Sequence, residues 1–229
     1  MLRPQKKVHK KELKEDALIS SYVSLTTWYE TNKRIISIVV VSAAVVIGAT
    51  LVYLKNRADD DANAATQLGQ IFSYYDSGQY QVAIDGVPER SLPGLKSIVE
   101  NFGGSHSGNI ARYYLAYATF ELGNSAEALR EYEAMSSGND LLEMARLSGI
   151  GACYEALGNN KEAAAYYEKA ASVDARHTTA PDNLNQAARN YGIAGDKEKA
   201  IELYKKLKKN YPTSPYAREA DRYIAALSV

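Results

Sequence analysis

Apolar residues fall in three patterns along this chain. Between Arg34 and Lys55 they are continuous, and Ile35 to Leu54 is 20 residues without a charge. At 1.5 Å per residue, a helix of that length is roughly 30 Å long, the thickness of a bilayer's hydrocarbon core. Its interior Val and Ile suit lipid, where the backbone must bond to itself, better than a soluble helix. The run predicts one transmembrane helix over 35–54. A helix buried in a soluble core would be shorter and amphipathic. Upstream, Leu18, Tyr22, Leu25 and Tyr29 recur at i, i+4, i+7 and i+11, a single stripe of an amphipathic helix.

Downstream the pattern becomes a ruler of small and large residues. Gly151 is followed by Tyr154, Gly158, Ala163, Tyr167 and Ala170, at steps of 3, 4, 5, 4 and 3. Ala188, Tyr191, Gly195, Ala200, Tyr204 and Leu207 repeat those steps, and Pro212 closes that copy. Ala116, Thr119, Gly123, Ala128, Tyr132 and Met135 repeat them again, and Ile71, Tyr74, Gly78 and Ala83 form a partial copy. The third-position glycines lie 45, 35 and 37 residues apart. Each copy reads as a helical hairpin. A small residue sits in the first helix where its partner crosses closely. A glycine ends that helix by taking positive φ at little cost. An alanine faces back from the second helix, and the tyrosine four further on fills the space beyond. One hairpin cannot bury its apolar face alone, so the copies must stack. The long first interval holds a loop, "GVPERSLPG", then an apolar helix, "LKSIVENF", that completes the first unit. The final "SPYAREADRYIAAL" reads as a capping helix.

Charge adds direction. The whole chain balances 27 basic against 27 acidic residues, but residues 1–34 carry eight Lys/Arg and four Asp/Glu. Past the apolar run come Lys55, Arg57 and then Asp59, Asp60 and Asp61. Basic residues flanking a span stay on the cytoplasmic side, so the N-terminus is expected in the cytoplasm and the bulk of the chain outside it. The apolar core is too long for a cleaved signal peptide and reads as a signal anchor. Trp28, Tyr29 and Tyr53 suit the membrane interfaces. The expected divisions are a basic cytoplasmic segment with an amphipathic helix (1–34), a transmembrane helix (35–54), an acidic linker (55–63) and an extracytoplasmic helical-repeat domain (64–229). The upstream helix lies on the inner leaflet, held by its lysines, or touches a membrane partner, or the basic segment only sets topology.

The ruler resembles the tetratricopeptide repeat, a helix–turn–helix unit of 34 residues. The resemblance covers about residues 64–212. It is carried by "LSGIGACYEALGNNKEAAAYYEKAASVD", "NQAARNYGIAGDKEKAIELYKKLKKNYP" and "ARYYLAYATFELGNSAEALREYEAM", and less fully by "IFSYYDSGQYQVAID". The family's usual tryptophan is missing from every copy, and its hallmark proline stands clearly only at Pro212. The resemblance implies an all-α solenoid of hairpins after the single transmembrane helix. The order of parts also resembles single-span inner-membrane proteins of the ancillary Sec-translocon type. That likeness implies a bacterial inner membrane, a periplasmic repeat domain, and partners among exported clients and translocon or envelope subunits.

In such a solenoid the first helix of each hairpin lines the concave side. The ruler places Leu68, Phe72, Tyr75, Tyr113, Tyr117 and Phe120 there at one end, with Ser148, Glu155, Asn185 and Arg189 at the other. The rings either anchor a client segment or pack between hairpins. Cytosolic co-chaperone repeats grip a C-terminal carboxylate with lysines, asparagines and an arginine. The matching faces here carry Tyr113, Tyr117, Ser148 and Ala152, so that clamp is missing.

Catalytic chemistry is not indicated. Cys153 is the lone cysteine, in an alanine-rich helix, and His9, His106 and His177 show no metal-ligand spacing. "NFGGSHSG" reads as a loop between helices, not a phosphate loop. Zero net charge argues against nucleic-acid binding. No cofactor, metal or small-molecule substrate is expected, and the chain does not read as an enzyme. Two functions stay open: a membrane-anchored adaptor or chaperone for exported proteins at the Sec translocon, or a fixed scaffold subunit of an envelope assembly.

Overall fold

The computed structural model describes residues 10–228, and side chains from Ile19 to Ser228. Residues 1–9 of the basic segment and the side chain of Leu18 in the expected stripe lie outside the described residues. Helix α1 runs from Lys10 to Asp76. The chain divides between Asn56 and Arg57 into two units.

In the first unit α1 is one continuous helix. It is the one described helix long and apolar enough to cross a membrane by length and composition. From Val39 to Leu54 its large apolar side chains are 56% to 65% exposed. Several threonines of this unit bond within the helix. The Thr27, Thr31 and Thr50 hydroxyls each donate 2.8 Å to the carbonyl four residues back. Tyr22, Leu25, Trp28 and Tyr29 are exposed.

The second unit is built on the glycines that the ruler picks out. Gly78, Gly123, Gly158 and Gly195 all take positive φ, from 74° to 86°. At each one the residue after the glycine donates back to the carbonyl five positions earlier: Gln79 to Tyr74, Asn124 to Thr119, Asn159 to Tyr154 and Asp196 to Tyr191, at 2.8 to 3.1 Å. That bond satisfies a carbonyl orphaned at the helix end and turns the chain into the next helix. The hairpins so formed are the end of α1 with α2 (Tyr80–Asp85), α4 (His106–Glu121) with α5 (Ser125–Glu133), α6 (Asp140–Ala156) with α7 (Asn160–Val173), and α8 (Ala180–Ile193) with α9 (Lys197–Asn210).

Helix α2 stops after six residues, and Gly86 follows at φ 84°. The segment expected as a plain loop forms a two-stranded antiparallel ribbon, β1 (Gly86–Val87) with β2 (Leu92–Pro93), around a 3₁₀ turn. Then α3 (Leu95–Phe102) places Leu95, Ile98 and Val99 in the core. Helix α10 (Pro215–Leu227) starts at the Ser214 cap, which accepts from Ala217 N at 3.1 Å, and packs on α9 and α8.

Every alanine of the ruler, Ala83, Ala128, Ala163 and Ala200, is fully buried. So are nearly all of Tyr132, Tyr167 and Tyr204, which follow four residues later. The glycines opposite them explain why small residues are needed. A Cβ on Gly151 would lie 3.1 Å from the Tyr167 ring. A Cβ on Gly149 would lie 2.5 and 2.7 Å from Tyr132 Cε1 and Cε2, and closer still to Cζ. The backbone of α6 therefore sits flat against two tyrosine rings.

Residues 55–63, expected as a linker, are helical, and from Arg57 onward they belong to the repeat unit. Asp61 accepts from Ser107 N at 2.6 Å, and Arg57 donates to the Gly104 carbonyl. A carboxylate at the first turn of α4 meets unpaired N–H groups and the positive end of the helix dipole. Those contacts hold the Asp61 pKa below its ordinary value, the Ser107 amide being the main cause.

Candidate binding groove

Helices α4, α6 and α8 are the first helices of successive hairpins, and together they line a cavity of about 360 Å³. Its aromatic wall comes from Tyr113, Tyr117 and Phe120 on α4, with Tyr132 and Tyr167 behind them. Met144 and Ala152 on α6 floor it. Asp182, Asn183 and Gln186 on α8 form a polar wall. Burial raises the hydroxyl pKa of Tyr113, Tyr132 and Tyr167. For Tyr117, burial comes first and the Glu121 carboxylate next. These hydroxyls are neutral at physiological pH.

Tyr117 belongs to a second set of rings at the groove's edge. Tyr75 lies 6.0 Å and Tyr80 6.3 Å from it, centroid to centroid. Phe72 stacks on Tyr75 at 5.6 Å, and Tyr114 meets Tyr75 edge-on at 4.8 Å. Such offset and edge geometries are favourable beyond the area they bury. Phe72 is 36% exposed, while Leu68 and Tyr75 pack against the first core cluster.

The polar residues expected in the groove divide differently. Ser148 lines the cavity and donates 2.7 Å to Asn183 Oδ1. Asn185 and Arg189 do not line it. Asn185 is half-buried, with its Oδ1 unpaired. Arg189 forms an ion pair with Glu155 and also binds Gln186. It lines a separate cavity of about 300 Å³ with Gly192, Tyr204, Tyr223 and Leu227. Glu155 also accepts from Asn190 Nδ2 at 2.8 Å, and Asn190 is fully buried. The cavity residues not picked out beforehand are led by Asp182, Asn183, Gln186 and Met144. The apolar face of α6 is legible in sequence; the register of α8 is not.

Cys153 is fully buried, and burial pushes its thiol up to about 12. A thiol so protonated is a poor nucleophile. Among the described residues no group of three or more His, Cys, Asp or Glu could hold a metal ion.

Tetratricopeptide-repeat models match residues 147–177 and 184–214, which take in most of α6 and α8 and all of α7 and α9 with their turns. These hairpins are tetratricopeptide repeats. Two solved structures share the fold. Both are described as nearly identical TPR-like repeats of a putative kinesin light chain from Podosopora anserina, one of them a point variant. Each is 19% identical, with a TM-score of 0.56 over 73% of this chain and 85% or 86% of the other. Among curated proteins none matches this sequence. The chain is thus an all-α solenoid of helical hairpins after one long apolar helix, two of those hairpins matching the tetratricopeptide repeat, and such repeats are protein-interaction scaffolds.

Proposed function

We propose that this chain is a membrane-anchored interaction module whose repeat groove engages exported polypeptides beside the Sec translocon as an adaptor or chaperone. One observation carries the reading: the concave face holds a cavity of about 360 Å³, walled by tyrosines, that the chain's own side chains leave open. Aromatic walls with a few polar groups suit the binding of a protein segment. Anchoring at 35–54 is supported by the charge-free run, its exposed side chains and the internally bonded Thr50. An orientation with the repeats outside the cytoplasm is supported by the basic residues before the run, and a bacterial inner membrane by the likeness to ancillary Sec-translocon proteins.

The test is site-specific photo-crosslinking in intact cells with the probe at position 117, followed by mass spectrometry. The expected result is a spread of exported polypeptides together with translocon subunits. A single stoichiometric envelope protein with no passing clients would make the chain a fixed scaffold subunit instead.

A further inference from the structure

We infer that the groove selects an extended peptide segment in which a large apolar side chain adjoins a lysine or arginine; this rests on the peptide-groove reading above. The cavity's aromatic and methionine walls provide the apolar half of the site, with Tyr117, Phe120 and Met144 around its mouth and floor. No Lys or Arg is among the lining residues; the one carboxylate there is Asp182, on the polar wall, and the one imidazole is His177. Glu121 adjoins Tyr117, and Glu155 and Asp182 both raise the Tyr167 pKa behind its burial. Arg189, the cation acting on Tyr167, is held by Glu155. A carboxylate ligand would meet Asp182 with no lysine or arginine on the cavity wall to offset it. An ammonium or guanidinium would meet Asp182 and the faces of tyrosine rings, which attract cations.

Asn183 supplies a handle for the main chain. It is 4% exposed and lines the cavity. Its Oδ1 accepts from Ser148, while its amide nitrogen makes no hydrogen bond to any described residue. A peptide carbonyl beside it would satisfy that donor. An apolar anchor, one main-chain bond and a cation at the acidic wall define three points of an extended segment.

The test uses the full chain in nonionic detergent and fluorescence anisotropy with three labelled Gly/Ser peptides. Their centres are Leu-Leu-Lys-Lys, Leu-Leu-Glu-Glu and Gly-Gly-Lys-Lys. The first should bind about five-fold or more tightly than either of the others, the size of one ion pair at a partly desolvated rim. Asp182→Asn should narrow the gap between the lysine and glutamate peptides, and Tyr117→Ala should weaken the first peptide. Raising the salt should close the same gap in the unaltered chain, which covers the case of a misfolded variant. Equal binding of the lysine and glutamate peptides, both lost in Tyr117→Ala, overturns the charge selection and leaves the peptide groove standing. Preference for the glutamate peptide overturns it too. If no peptide binds, or if Tyr117→Ala changes nothing, the groove reading falls as well.

Discussion

Gly149→Ala tests whether the tyrosine rings dictate the small residues opposite them. In a free helix the change is favourable by about 0.5–1 kcal/mol, because alanine loses less backbone freedom than glycine. Here the new Cβ would lie 2.5 Å from Cε1 and 2.7 Å from Cε2 of Tyr132. Tyr132 is 3% exposed and belongs to the middle core cluster with Ala128, Ile150 and Cys153, so its ring has little room to retreat. Overpacking of that kind costs about 1–3 kcal/mol. The net expectation is a loss of about 1–2 kcal/mol, or roughly 2–8 °C for a unit of this size. The measurement is thermal and urea unfolding of the full chain in detergent, followed by circular dichroism. It is repeated in a Tyr132→Leu background, where the clash is gone and Gly149→Ala should become neutral or stabilising. The coupling between the two positions is then about 1.5 kcal/mol or more. If Gly149→Ala is neutral with Tyr132 present, or costs the same in both backgrounds, the ring does not dictate the glycine.

Three further outcomes are expected. Gly158→Ala places a Cβ in open space but at φ 79°, so it should cost about 1–2 kcal/mol in urea unfolding from backbone strain alone, and Gly158→Asn should cost less. Glu155→Ala removes an acceptor from fully buried Asn190 and the partner of Arg189, and should lower stability by about 1–3 kcal/mol in the same assay, with Glu155→Gln milder. Burial holds the Cys153 thiol and the Tyr204 hydroxyl up at about 12, above their ordinary 9.0 and 10.0. The unfolded chain releases these protons first, so stability is full below pH 9 and falls as pH rises toward 12. Cys153→Ala should flatten the first part of that fall, between pH 9 and 10, in urea titrations at stepped pH.

What was legible in the sequence follows from how local each signal is. A positive-φ glycine and the alanine five residues later are set by one hairpin, so their spacing locates all four turns and the buried face of each second helix. The ribbon at 86–93 is different: strands of two residues are too short to show a period. The groove is harder again. One step along a helix turns a side chain by about 100°. Asp182, Asn183 and Gln186 face the cavity, whereas Asn185 and Arg189, a small register error away, face elsewhere. That register is decided by how α8 packs on α6 and α7, which no single hairpin records. Leu68 and Tyr75 show the matching ambiguity, since a ring or a leucine on the concave helix serves the core as readily as a ligand.

Tyr132 and Tyr167 explain why core and groove could not be separated beforehand. Each sits at the ruler position that seals its own hairpin, and each also backs the cavity. Both roles come from one geometric fact: Gly149 and Gly151 let the α6 backbone approach the two rings closely. A bulkier residue at either position would push a ring toward the space a ligand would use. Stability and cavity shape are therefore coupled at these two glycines. Gly149→Ala should weaken peptide binding even where the chain remains folded, because the displaced Tyr132 ring enters the groove. Tyr132→Leu should have the opposite signature, costing stability by cavity formation while leaving the groove open. Anisotropy on the folded variants distinguishes the two. Equal affinity for Gly149→Ala and the unaltered chain would show that the ring relaxes into the core instead.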